Sequence, residues 1–301
     1  DGMIHQQWGW ENGACVPTQE YITNFYNRTL DAINRYNPDL IYFDVTVAPF
    51  YPVSDAGLKI AAHYYNHNMA TNKGRLDAVM FGKILDSEQR KALVWDVERG
   101  APDKIVDEPW QSCSCIGGWH YNTSIYENNG YKSAASVVKL LVDIVSKNGN
   151  LLLSVPLRAD GTFDEKEEAI LNDFGNWMTV NKEGIIDTRP WKVFGEGPIA
   201  ESTVPMNAQG FNEGTYNKAT SKEIRFTQKD KNLYATVLAW PEEKQVIIKS
   251  LAKGNMLYPG KISKVELLGY GKVTFTRTNQ GLIIHMPDKQ TNKIAPVFKI
   301  K

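Results

Sequence analysis

The sequence predicts two domains of different class: an α/β domain over residues 1–195, built as a barrel of parallel strands with helical crossovers, and an all-β antiparallel sandwich over 196–301. Three observations point there. Apolar runs of strand length alternate with amphipathic helical segments between residues 18 and 182, the order that parallel strands with crossover helices require. Two of those runs lead into a carboxylate, at Asp44 and at Glu98, and in barrels of this kind the reactive groups stand at the C-terminal ends of the strands. After Arg189-Pro190-Trp191 the apolar residues recur with period two between short turns, as in stacked antiparallel sheets.

With 301 residues, 42% hydrophobic and 23% charged, the chain can bury a sizeable core. Its 34 basic and 34 acidic side chains cancel, which removes the electrostatic case for nucleic acid or an anionic membrane surface and favours a neutral ligand. Eight Trp and 14 Tyr suit the flat apolar faces of sugar rings as well as a large core. Cys15, Cys113 and Cys115 are too few for a disulfide framework and lack zinc-site spacing, so they read as free buried thiols, and neither a metal nor another cofactor is expected. His63 and His67, one helical turn apart without a third ligand, read as a solvated helix face. No apolar run reaches the about 18 residues of a membrane span. Because the sequence starts at Asp1 without an initiator methionine, it reads as processed or as a piece of a longer chain, and the missing leader says nothing about compartment. Asn27-Arg28-Thr29 and Asn122-Thr123-Ser124 match the glycosylation triplet, a pattern frequent by chance.

In chain order, residues 1–16 read as an irregular loop. Thr18 caps a helix whose stripe is Tyr21, Ile22, Phe25, Tyr26, Leu30 and Ile33. Asn37-Pro38 stops it, and a buried strand leads to Asp44. The loop 45–53, with Pro49, Phe50, Tyr51 and Pro52, forms a stiff aromatic mouth beside Asp44, and Ser54 caps a helix to about Ala70. Strands are expected over 76–82 and 92–96, the second running into Glu98. Residues 110–121 form a strand and a loop rich in stacking groups, and 133–147 an amphipathic helix ended by Gly149. An apolar strand over 150–156 and a helix over 164–181 complete the domain, and Gly195, Gly197 and Pro198 form a linker. Strands at 233–240, 245–250, 264–268, 281–286 and 297–300 build the sandwich. An Asp at a strand end also serves as a turn former, and Trp110 and Trp119 have core packing as their alternative role.

Four motifs carry a resemblance: Pro38-Asp39-Leu40-Ile41-Tyr42-Phe43-Asp44; Trp95-Asp96-Val97-Glu98-Arg99-Gly100; Pro109-Trp110-Gln111 with Trp119-His120-Tyr121; and Asn148-Gly149-Asn150-Leu151-Leu152-Leu153-Ser154-Val155-Pro156 with Asp160-Gly161. In this order and spacing they resemble the α-L-fucosidases of glycoside hydrolase family 29, over about residues 14–195, the remainder matching only as a sandwich type. The resemblance implies a (β/α)8 TIM-like barrel and a retaining exo-glycosidase that removes terminal α-L-fucose from an oligosaccharide or glycoconjugate, with Asp44 as nucleophile. Many members carry the acid/base Glu after a Trp, where this chain has Gln111; Glu98 then takes that role, with Glu108 as fallback. Trp110, Trp119, His120 and Tyr121 are the expected walls of the sugar pocket. The family's opening His-Trp and His-His motifs are not matched before Asp44, so the barrel is expected to lack about its first three strands, either because this is the C-terminal part of a longer protein or because another segment supplies them. The resemblance places the protein in the periplasm, outside the cell or in the lysosome. Two competing readings stand beside it: an inactive carbohydrate-binding homologue, suggested by Gln111 and the unmatched motifs, and another retaining barrel glycosidase such as a galactosidase.

Overall fold

The computed structural model describes residues 16–44 and 47–301, and the chain divides into two compact units, one up to Asp96 and the other from Val97. The expected N-terminal loop, Cys15 and the first two residues of the 45–53 loop lie outside the described residues.

In the first unit, α1 (Gln19–Tyr36) begins at Thr18, whose hydroxyl accepts the Tyr21 N–H at 3.2 Å, and stops at Asn37 in the left-handed region (φ 45°). Then come β1 (Leu40–Tyr42), α2 (Ala56–Thr71), β2 (Val79–Gly82) and β3 (Val94–Glu98), within which the division between the units falls. The three strands are parallel, with Leu40 opposite Val79 and Phe81 opposite Val94. Ser54 accepts the Ala56 N–H at 3.2 Å at the start of α2. The ring nitrogens of His63 and His67 are hydrogen-bonded to Asn34 at 2.8 Å and Asn37 at 2.6 Å. These histidines brace α2 against the end of α1, which corrects the expectation of a merely solvated face.

In the second unit, β4 (Trp110–Cys115) and β5 (Gly149–Ser154) pair in parallel along their whole length. Between them lie α3 (Thr123–Glu127) and α4 (Ala134–Ser146), the latter capped by Ser133. Helix α4 terminates through Asn148 at φ 73° rather than at Gly149. Gly149 opens β5 instead, because a Cβ there would stand 2.5 Å from the Trp110 ring. Helix α5 (Glu165–Asn181) starts with a reciprocal capping box of Asp164 and Glu167.

The remaining strands are β6 (Arg189–Glu196), β7 (Ile224–Lys229), β8 (Asn232–Val237), β9 (Gln245–Ile248), β10 (Val265–Leu267), β11 (Gly271–Lys272), β12 (Phe275–Arg277), β13 (Leu282–His285) and β14 (Val297–Ile300). They form a six-stranded sheet, β11-β10-β14-β8-β7-β6, and a three-stranded sheet, β12-β13-β9. Phe226, Leu233 and Phe298 of the first sheet meet Val246, Ile248 and Ile284 of the second in one apolar core, as in a sandwich. Strand alternation then exposes a second face. Leu233, Ala235 and Val237 enter the sandwich core, while Tyr234 packs with Val138, Leu141 and Val142 of α4 and Trp177 of α5. Helices of the α/β part thus cover the large sheet, and the boundary expected at residue 195 falls inside the second unit. The expected linker is also structured: Gly195 sits opposite Arg225 after a register shift, and a Cβ there would lie 2.4 Å from the Ile224 carbonyl oxygen.

Candidate active site

Asp44 lies just past the C-terminal end of β1, with its side chain 60% exposed. The parallel register that sets Tyr42 opposite Phe81, carried two residues further, sets Asp44 opposite Lys83. The Lys83 ammonium is 2.6 Å from the Asp44 carboxylate, and its side chain is only 5% exposed. A buried cation is tolerated only against an opposite charge, so Lys83 presents its charge to Asp44 from within the fold. On the same unit, the Tyr42 hydroxyl donates to the buried Asp96 carboxylate at 3.0 Å, and the Arg90 guanidinium lies 3.6 Å above the Trp95 ring.

In the second unit, Glu98 is the last residue of β3 and half-buried. Its N–H donates to the Gln209 side-chain oxygen at 3.1 Å. Arg99 follows in the left-handed region (φ 50°); its N–H donates to the Cys113 carbonyl at 2.8 Å and its Nε to Glu213 at 2.7 Å. Glu213 also accepts from the Ser114 hydroxyl, and the Lys132 ammonium is 3.1 Å away. Burial pushes the Glu213 carboxyl up, but the Ser114 and Arg99 hydrogen bonds and the Lys132 charge outweigh it and hold the carboxyl below the ordinary glutamate value. Arg99, Lys132, Phe211, Glu213 and Asn217 line a polar cleft of about 320 Å³.

The other expected site residues divide by strand end. Glu108 is exposed and precedes β4, at the N-terminal end of that strand, so the strand-end argument that favours Glu98 does not extend to it. Trp110, the first residue of β4, is fully buried, donates its indole N–H to the Lys147 carbonyl at 2.9 Å and packs on Gly149. It is core, not a sugar-pocket wall. Gln111 follows it near the start of β4, so a Glu there would also stand away from the C-terminal end. Trp119, His120 and Tyr121 lie beyond the C-terminal end of β4, Trp119 being 42% exposed and Tyr121 6.0 Å from the Arg158 guanidinium. Cys113 and Cys115 are buried, and burial raises the Cys115 thiol. Among the described residues no group of three or more His, Cys, Asp and Glu side chains is arranged to hold a metal, and no helix is long and apolar enough to cross a membrane.

Lys83, Gln209, Asn212 and Glu213 went unread in the sequence. Only Lys83 left a signal, as the residue just past a strand end like Asp44.

The alpha-L-fucosidase family model matches residues 3–183, and the model of the alpha-L-fucosidase C-terminal domain matches residues 216–301. Plasma alpha-L-fucosidase of Rattus norvegicus is 27% identical over 196 residues, covering 63% of this chain and 37% of that protein. A structure of a Thermotoga maritima α-L-fucosynthase in complex with α-L-Fuc-(1-2)-β-L-Fuc-N3 shares 21% identity at a TM-score of 0.69, covering 94% of this chain and 56% of that one. A trapped covalent intermediate of an α-L-fucosidase from Bacteroides thetaiotaomicron, in complex with 2-fluoro-fucosyl fluoride, shares 20% identity at a TM-score of 0.66, covering 94% and 61%. The chain spans less than two thirds of the length of each of these relatives. The structural likeness establishes the fold as part of a TIM-like barrel followed by a β-sandwich, and the family-model match, over more than half of the sequence, shows that the chain belongs to the α-L-fucosidase family.

Proposed function

We propose that this chain carries the catalytic pair of a retaining exo-α-L-fucosidase, with Asp44 as nucleophile and Glu98 as acid/base. The observation that supports the reading is positional: in a chain of this family, each carboxylate stands at or just past the C-terminal end of a parallel strand. Asp44 attacks the anomeric carbon while Glu98 protonates the departing glycosidic oxygen. Glu98 then takes a proton from water, whose oxygen displaces Asp44 and releases fucose with its starting configuration. Retention requires the two carboxyls about 5 to 5.5 Å apart. Substrates are fucosylated oligosaccharides or glycoconjugates, with Trp119, His120 and Tyr121 as sugar contacts. The fucosyl complexes of the Thermotoga and Bacteroides proteins support the sugar class, and the plasma relative supports an extracellular setting.

A further segment that completes the barrel belongs to the same reading. Among the described residues β1 pairs only with β2, and beside it a groove of about 490 Å³ is lined by apolar groups including Tyr21, Phe25, Ile33, Ile41 and Phe43. Apolar surface of this extent beside a strand calls for cover.

Azide rescue tests the roles. Asp44→Ala should abolish hydrolysis and, with azide, yield the β-fucosyl azide by direct displacement. Glu98→Ala should still release an acidic nitrophenol, stall at deglycosylation and yield the α-fucosyl azide. The same anomer from both variants would refute the assignment, and glycan binding without hydrolysis by the complete protein would favour the inactive homologue.

A further inference from the structure

One short segment engages four consecutive residues at the end of β3. The Glu98 N–H donates to Gln209 Oε1 at 3.1 Å. Arg99 Nε donates to Glu213 Oε1 at 2.7 Å, and the Glu213 N–H returns to the Arg99 carbonyl at 3.0 Å. Gly100 admits the Ala208 backbone so closely that a Cβ would stand 2.3 Å from the Ala208 carbonyl oxygen. Asn212 clasps Ala101 from both sides, accepting its N–H at 3.0 Å and donating to its carbonyl at 2.9 Å. The segment is itself braced: Asn212 donates to the Asn207 carbonyl at 3.0 Å, and the Gln209 N–H to the Asn207 side chain at 3.1 Å. It falls between the two family-model matches, in neither.

The physical need for such a brace is local. The β3–β4 connection, residues 99–109, contains no helix, so nothing of its own continues the strand into a rigid element. Arg99 holds a left-handed backbone, a conformation a non-glycine residue keeps only when its surroundings impose it. A general acid acts only from a defined position, and small displacements are costly.

We infer that residues 207–213 are the positioning element for the acid/base residue, with Gln209 acting through the Glu98 amide and Glu213 through Arg99. The inference rests on the role proposed above for Glu98.

The test uses the full chain and the variants Gln209→Met, Gln209→Glu and Glu98→Ala. Amide hydrogen exchange is the readout that needs no turnover: Gln209→Met should speed exchange across residues 98–101, while Gln209→Glu, which keeps an acceptor oxygen, should not. In kinetics, Gln209→Met should slow fucosides with a poor leaving group on the order of ten- to a hundredfold and spare those with an acidic one. Gln209→Glu, which keeps the acceptor oxygen for the Glu98 amide, should leave both classes of fucoside near wild type. Unchanged exchange at 98–101 in Gln209→Met, or equal loss on both leaving groups in that variant, overturns the positioning role alone. If Glu98→Ala shows no leaving-group dependence, the acid/base reading fails and takes this inference with it.

Discussion

Lys83 and Asp44 form an unequal pair: the ammonium is buried and the carboxylate faces outward. Removing the ammonium leaves the carboxylate solvated but unguided, so the loss should appear in chemistry before it appears in folding. Lys83→Met is expected to lower kcat/KM on the order of ten- to a hundredfold with an unchanged circular dichroism spectrum; an unaltered kcat/KM would remove Lys83 from the site. The two tryptophans of the Trp110 to Tyr121 stretch separate in the same way. Trp110→Phe removes a buried indole hydrogen bond and some volume, costing about 1–3 kcal/mol of stability while KM stays the same. Trp119→Ala, at an exposed position, should raise KM with little change in melting temperature. The reverse pattern would restore Trp110 to the sugar pocket. Sequence alone displayed both rings as equivalent, because a Trp signals apolar area without saying which end of a strand it occupies.

At the scale of elements, α4 and β7 are joined by buried charges. Asp143 accepts from Lys147 at 2.7 Å and from Arg225 at 2.6 Å, and Arg225 pairs with Glu223 at 3.0 Å. Burial alone would raise the Asp143 carboxyl, but the Lys147 and Arg225 charges and hydrogen bonds outweigh it and hold the carboxyl below its ordinary value. A carboxyl lowered on folding contributes stability above its unfolded value of about 3.9, and that contribution disappears as pH falls through the lower folded value. Arg225→Met removes part of the lowering, so acid unfolding followed by circular dichroism should begin at higher pH, and stability near neutrality should drop by about 3–5 kcal/mol. An unmoved acid transition would mean that Lys147 alone holds Asp143. This network also explains which elements were legible. Helices α1, α4 and α5 announced themselves through Thr18, Ser133 and Asp164 and a 3.6-residue apolar period. Strand β7 did not, because its buried Arg225 and Thr227 break the alternation of a half-buried strand. Gly195, which signalled a linker, is in β6 because Arg225 packs against it.

For the molecule as a whole, the sequence alone predicts a separate sandwich after residue 195, whereas in the structure Tyr234 and Val297 share a core with α4 and α5. That sharing could not be read from the sequence, since strand periodicity shows which residues leave each face of a strand but not what covers them. Truncation after Glu196 strips Trp177, Val138 and Leu141 of that cover and removes Gln209 through Glu213 as well. The truncated chain should aggregate or melt without cooperativity, as seen by size-exclusion chromatography and calorimetry; a monomer with a sharp transition would contradict the shared core. The strand-end positions of Asp44 and Glu98 were legible because each follows an apolar run of strand length, whereas the segment that grips Glu98 lies 111 residues away from it along the chain. As nucleophile, Asp44 becomes covalently attached to the sugar in the proposed reaction, and the most direct measurement is to locate that attachment. Incubation of the complete protein with 2-fluoro-fucosyl fluoride, in which the fluorine slows release of the glycosyl-enzyme, followed by digestion and tandem mass spectrometry, should place one fluorofucosyl group on Asp44. A label on any other carboxylate, or full hydrolytic activity with no covalent label, would contradict it.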